Sequence, residues 1–181
     1  MYQSIEHGPE KNSIPVWYTS LAFYYCDRSP AEVLAPSKQS TTVYVPDTLV
    51  MYPQLMNFTV WDNIICKAAW MYNTGGQTFS LSASDESRLR IALDEIPVGS
   101  YQLFADITRT GKGCSFSLWQ GQTVLTDWIA TAQQDKEERI PMLPMGTINI
   151  REFSRSLTIQ FKTKGDQNNL LLSRIIFVRK Q

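Results

Sequence analysis

Three cysteines, Cys26, Cys66 and Cys114, and one histidine, His7, are the side chains of this chain best suited to ligate a metal or serve as nucleophile and base. Their spacing favours neither role. A structural zinc site needs four nitrogen or sulfur ligands, usually with two of them close in sequence, and these residues do not supply such a pair. Each cysteine lies in an apolar or alternating run, so buried thiols are expected, with a disulfide between two of them left open and the pair unspecified. A lone histidine most often makes a structural hydrogen bond and gives no acid–base argument by itself. With no activated nucleophile, metal cluster or phosphate loop in the pattern, a complete small enzyme is not expected, and neither a metal nor a cofactor is implied.

Composition narrows the partners. The 181 residues carry 17 basic and 17 acidic side chains, and 43% of them are hydrophobic, which describes an ordinary globule with enough chain for one well-buried domain and an appended segment. Duplex binding rests on a basic face that releases counterions, and no Lys/Arg cluster interleaves with aromatics here, so nucleic acid is not an expected partner. No apolar run approaches the roughly 20 residues that span a bilayer core, so no membrane partner is expected. The opening Tyr2-Gln3-Ser4-Ile5-Glu6 is neither basic nor followed by an apolar core, so no signal peptide is read there. Localisation stays unknown from this end; a secreted or periplasmic setting fits if the chain is a fragment.

The elements that must position any site are strands. From Arg88 to Trp119 apolar residues recur at every second position: Leu89, Ile91 and Leu93; Tyr101, Leu103, Ala105 and Ile107; Cys114, Phe116 and Leu118. Pro97-Val98-Gly99 and Thr110-Gly111-Lys112-Gly113 break these runs where a chain reverses, which predicts three antiparallel strands. Trp119 continues the third run, and the burial typical of large aromatics assigns it to the core. Further strands are expected over 78–83, 123–131, 139–143, 147–151, 157–163 and 170–179, with a short edge strand near 41–45. Residues 49–72 are rich in large apolar groups but show neither a strand nor a helix period. Pro30, Pro36 and Pro46 mark 28–48 as a linker or long connection. The aromatic run 16–25 reads as one strand, suited to burial against something large. The expected fold is all-β, an antiparallel β-sandwich of jelly-roll type over 49–181, with Leu89, Ile91, Leu103, Phe116, Leu118, Ile159, Phe161 and Ile175 in its core.

Three patterns in the second half carry a resemblance: Pro97-Val98-Gly99-Ser100-Tyr101-Gln102-Leu103 as a strand entry, Ser156-Leu157-Thr158-Ile159-Gln160-Phe161 as a late strand, and Asn169-Leu170-Leu171-Leu172-Ser173-Arg174-Ile175 as a closing strand. Together they resemble the galactose-binding-like β-sandwiches, which include many carbohydrate-binding modules. The resemblance implies carbohydrate, an oligosaccharide or polysaccharide, as partner, with loop aromatics stacking on sugar faces and polar groups taking hydroxyls. Trp119, Trp128, Trp70 and Tyr72 are then the stacking candidates, the core remaining the expected place of Trp119, with Asp127 and Asn169 as hydrogen-bonding partners; Trp128, directly after Asp127, is the foremost. Calcium, frequent in such modules, would need a carboxylate where Ser173 stands, so none is expected.

Ser4-Ile5-Glu6-His7-Gly8-Pro9-Glu10-Lys11-Asn12, followed by Tyr18-Thr19-Ser20-Leu21-Ala22-Phe23-Tyr24-Tyr25, resembles the C-terminal end of a double-jelly-roll glycoside hydrolase family with α-fructofuranosidase, difructose-anhydride synthase and arabinofuranosidase activities. By that resemblance residues 1–27 are a strand segment of a preceding jelly roll, and Glu6 matches one active-site carboxylate. Retaining hydrolysis of a furanoside needs two carboxyl groups about 5 Å apart, and the partner of Glu6 would lie upstream of this chain. The implied function is therefore a carbohydrate-related accessory sandwich of a glycoside-hydrolase-like protein, inactive alone. The alternative is a structural or oligomerisation domain in which strand 16–25 pairs with another copy or another protein.

Overall fold

Strand alternation becomes twelve strands among the described residues of the computed structural model, which are 46–71, 76–133 and 136–180. In chain order they are β1 (Thr48–Met51), β2 (Phe58–Trp61), β3 (Ile64–Met71), β4 (Gly76–Ala83), β5 (Arg88–Ala92), β6 (Gly99–Arg109), β7 (Ser115–Gln120), β8 (Thr123–Val124), β9 (Ile129–Ala130), β10 (Glu138–Ile150), β11 (Ser156–Lys162) and β12 (Asn169–Arg179). A 3-10 turn, Pro53–Leu55, follows β1. Sheet A has the order β10-β6-β12-β4-β3, with β1 also paired to β12; sheet B has the order β2-β5-β11-β7-β8, with β9 also paired to β7. Every pairing between these strands is antiparallel, and the fold is a β-sandwich. Glu6, Cys26, Tyr72, the segment 1–27, the strand 16–25, the edge strand near 41–45 and most of the connection 28–48 lie outside the described residues.

The two sheets close on one apolar layer. All eight residues expected in the core are buried, and Leu81, Tyr101, Ile107, Leu157 and Phe177 join them. Each such side chain contributes roughly 1.5–3 kcal/mol on leaving water. Tyr101 explains the strand-entry pattern: its ring is buried and meets Phe177 edge-on at 6.0 Å, and its hydroxyl donates to the Pro97 carbonyl at 2.8 Å. The ring folds back over Gly99, where a Cβ would stand 3.3 Å from it, so the glycine makes room for the tyrosine.

Three expectations change in detail. Residues 49–72 hold most of β1, the 3-10 turn, β2 and β3; β2 and β3 are edge strands, and all four β2 residues are exposed, which erases the alternation a half-buried strand would show. The run 123–131 is not one strand but two short pieces, both paired to β7. The runs 139–143 and 147–151 merge into one irregular strand, β10, whose pairing with β6 shifts between Ile140 and Leu143 and again between Pro144 and Thr147. Pro141 and Pro144, which cannot donate to a ladder, are tolerated because β10 is an edge.

Asp106 anchors that irregular edge. Its carboxylate is fully buried on β6; Oδ2 accepts from Arg174 Nε at 2.8 Å, Arg174 Nη2 at 2.6 Å and Arg139 Nη2 at 3.1 Å, and Oδ1 accepts from the Met142 backbone N–H at 2.8 Å. Met142 sits at φ 52, so this bond holds the chain at its most strained point in β10. Burial alone raises the Asp106 carboxyl, but the hydrogen bonds from Met142, Arg174 and Arg139 and the Arg174 charge outweigh it and hold the group below its ordinary value of 3.8.

Two outcomes follow from this packing. Phe116→Ala or Phe161→Ala costs about 3–5 kcal/mol in urea unfolding, and an unchanged midpoint would contradict the strand register. Asp106→Ala costs roughly 3–5 kcal/mol at pH 7, because it strands the arginines and the Met142 N–H. A carboxyl whose folded pKa is depressed stabilises above its unfolded pKa and loses that contribution as pH falls through the lower folded value. The gap between wild type and Asp106→Ala is therefore full at neutral pH and closes below about pH 4 in a series of denaturation curves.

Candidate functional site

Leu89 and Ile91 are wholly buried in the sandwich, and the pleat of β5 therefore sends Arg88 and Arg90 to the outer face of sheet B. Strand register then sets their neighbours. Arg88 lies opposite Trp61 on β2 and opposite Gln160 on β11, while Gln160 faces Ser117 on β7. One step along, Arg90 lies opposite Thr59 and Thr158, Thr158 faces Trp119, and Trp119 faces Val124. These two rows run across the sheet at right angles to the strands.

The rows line an open groove of about 860 Å³, bordered by Trp61, Asp62, Glu86, Arg88, Arg90, Trp119, Gly121, Gln122, Ser156, Thr158 and Gln160. Two other hollows admit about 20 Å³ and about 10 Å³, too little for anything larger than a water or two. Trp61 and Trp119 stand on strands three steps apart in the sheet order and two residues apart along the strands, a separation of roughly 16 Å at about 4.8 Å per step and 3.4 Å per residue. Trp119 Nε1 donates to Ser117 Oγ at 2.8 Å, which fixes the indole on β7. Trp61 is 44% exposed at the end of β2, just before Asp62 turns the chain at φ 66. Among the described residues, the side chains of Arg88, Arg90, Thr158 and Gln160 have neither hydrogen bond nor ion pair, so the floor between the tryptophans offers unused donors and acceptors. Such a surface can stack on flat apolar faces at two points and hydrogen-bond hydroxyls between them. The two described thiols are not part of it: the Cys114 thiol is buried and pushed up to about 12, mainly by desolvation, and burial also raises the partly exposed Cys66.

The residues nominated from the sequence are dispersed. Trp128 and Asp127 lie in the loop between β8 and β9, at the far side of sheet B from β2, and Trp128 is 46% exposed. The Lys162 ammonium lies 5.9 Å from the Trp128 ring centre, a cation–π contact that covers one face of the ring. Asn169 begins β12 in sheet A; its Oδ1 accepts from Ser80 Oγ at 3.4 Å, and its backbone bonds Lys112 and Cys114. Trp70 belongs to β3, opposite Gln77, also in sheet A. Trp128 and Asp127 thus stay together, while Asn169 and Trp70 belong to the other sheet. Ser173 is buried and bonded to Thr78 at 2.9 Å, and among the described residues no group of three or more His, Cys, Asp or Glu side chains is placed to hold a metal.

Trp119 does not join the core as expected. The same alternation that turns Phe116 and Leu118 inward turns Trp119 out onto the groove. Arg88 and Arg90 carried a signal too, as the polar members of Arg-Leu-Arg-Ile, whereas Trp61 and the groove itself depend on which strands become neighbours.

Residues 50–180 match the family described as a domain of unknown function, DUF8441, and the chain belongs to it. No curated protein matches the sequence. Solved structures that are similar include a Paenibacillus xanthan lyase (15% identity, TM-score 0.56, over 80% of this chain and 14% of that one) and the insecticidal crystal protein Cry2Aa (12%, TM-score 0.49, over 75% and 22%). The C-terminal carbohydrate-binding module of family 6 from LamC, a laminarinase of Zobellia galactanivorans, is also similar (13%, TM-score 0.44, over 73% of this chain and 99% of that one). The chain thus spans less than a quarter of the xanthan lyase and of the crystal protein.

The buried thiol gives a check on the core beneath the groove. Iodoacetamide at pH 8 is expected to leave Cys114 unmodified in the native protein and to alkylate it in urea, as read by peptide mass. Rapid native labelling of Cys114 would contradict the burial of the chain where it enters β7.

Proposed function

We propose that the sandwich is a carbohydrate-binding accessory domain that receives an oligosaccharide across the outer face of sheet B. One observation carries this reading: two tryptophans roughly 16 Å apart border a single groove whose floor is polar and unpaired. That span suits a chain of several sugar rings, with stacking at both ends and hydroxyl contacts from Thr158, Gln160 and Ser156 between. The volume also falls in the usual range for ligand sites, about 300–1,000 Å³. The groove supports Trp61 and Trp119 as the stacking groups ahead of Trp128, whose ring is already engaged by Lys162. The resemblance of 4–25 to a glycoside hydrolase terminus supports an accessory place beside a catalytic part, with Glu6 contributing only half of a carboxylate pair.

An exposed groove of this kind binds weakly, with Kd of about 0.1–1 mM, because few groups are desolvated and ordering costs remain. Calorimetric titration of neutral and acidic oligosaccharides of four to six units, with tryptophan fluorescence in parallel, tests the assignment. Trp61→Ala and Trp119→Ala are each expected to weaken binding about tenfold, and Trp128→Ala to change it little. If no saccharide perturbs the protein at millimolar concentration, or if Trp128→Ala alone abolishes binding, this reading is wrong.

A further inference from the structure

Resting on the saccharide reading, we infer that the ligand of the groove is anionic, an oligosaccharide whose ring carboxylate or sulfate is held by Arg88 and Arg90. The two guanidiniums leave the same face of β5 about 6.8 Å apart along the strand, an arrangement of like charges that costs stability when nothing lies between them. Arginines with structural duties in this chain have partners: Arg139 and Arg174 bind Asp106, Arg109 lies 3.7 Å from Glu138, and Arg155 donates to the Asp94 and Ile96 carbonyls. Among the described residues the side chains of Arg88 and Arg90, like those of Arg151 and Arg179, have neither hydrogen bond nor ion pair, but only Arg88 and Arg90 line the groove, together with Asp62 and Glu86.

Position ties each arginine to a stacking group. Trp61 and Arg88 are cross-strand partners, one strand step apart, while Trp119 and Arg90 share a row with Thr158 between them, roughly 10 Å apart at about 4.8 Å per step. A sugar ring over Trp119 therefore directs a substituent on its inner edge past Thr158 toward Arg90. A guanidinium meets a carboxylate or sulfate through two parallel N–H bonds, which a hydroxyl cannot match. Arg90 is the principal of the two, because its direct cross-strand neighbours, Thr59 and Thr158, are neutral; Arg88 lies in the row nearer Asp62 and Glu86. With two arginines offset by two carboxylates along the groove, the preference arises from these direct contacts and not from a long-range positive field.

The test titrates the full chain with three tetrasaccharides: tetragalacturonate, its carboxyl-reduced neutral counterpart, and a sulfated tetrasaccharide cut from carrageenan. The expected result is that at least one anionic ligand binds tenfold or more tightly than the neutral one, and that added salt weakens this preference. The arm that binds better identifies carboxylate or sulfate as the source of charge. R90Q is expected to remove the preference without lowering the melting temperature, since the side chain is exposed and unpaired and its loss relieves repulsion with Arg88. R90K keeps a charge but loses the fork and is expected to retain only part of the preference. Equal binding of all three ligands, with loss on Trp61→Ala and Trp119→Ala, overturns the anion inference and leaves the saccharide site standing. Retention of the full preference in both R90Q and R88Q overturns it as well. Failure of all three ligands to bind overturns the saccharide reading along with it.

Discussion

The pleat of sheet B governs both the stability of the domain and its exposed chemistry. Because successive side chains on a strand point to opposite faces, the burial of Leu89 and Ile91 on β5, of Leu157, Ile159 and Phe161 on β11 and of Phe116 and Leu118 on β7 leaves the intervening residues no other direction than outward. The apolar core therefore aims the groove. A slip of one residue in any of these strands would exchange core and groove residues together, so the free energy that fixes the register also keeps Arg90, Thr158 and Trp119 in one row.

Sheet A spends its polar residues differently. Asp106, Thr78 and Ser173 are buried and used to tie strand to strand, and the Asp106 carboxylate in particular holds the bulged edge strand β10 against β6 and β12. A carboxylate with two guanidiniums and a backbone donor is satisfied internally and has little capacity left for a ligand. The Asp106 cluster thus gives structure to sheet A, whereas Arg88 and Arg90 on the outer face of sheet B keep unused donors.

How much of this was legible in the sequence depends on range. Alternation is a local signal, and it located β5, β6, β7, β11 and β12 and every core residue named from it. It also determined that Arg88 and Arg90 point away from the core. It could not reveal that β2 lies beside β5, or that β11 separates β5 from β7, since those neighbours come from chain segments tens of residues away. Edge strands were harder still: β2 is exposed on all four residues and β10 is broken by two prolines and two register shifts, so neither shows a clean period. Trp119 was a conflict between two signals, its place in the alternation and its size, and the alternation prevailed. The sugar-site candidates drawn from resemblance had no such positional constraint, which is why Trp70 and Asn169 belong to sheet A while Trp128 lies in a loop beside sheet B.

The pairing of β1 with β12 has a mechanical corollary. The backbone of Asp47 accepts a hydrogen bond from Arg179 at 2.7 Å, and Thr48 lies opposite Val178, so the beginning and end of the sandwich meet at one corner of sheet A. Antiparallel ladder bonds run perpendicular to the strands. A pull that separates those two points acts along the bonds and loads them one at a time, so β1 peels like a zip instead of resisting in shear. The domain is thus compliant at that corner: tension is relieved first by withdrawing Leu49 and Met51 from the core, before it reaches sheet B, which shares no hydrogen-bonded strand with sheet A. A tethered domain built this way can yield and re-zip at its anchor while the grooved sheet keeps its shape.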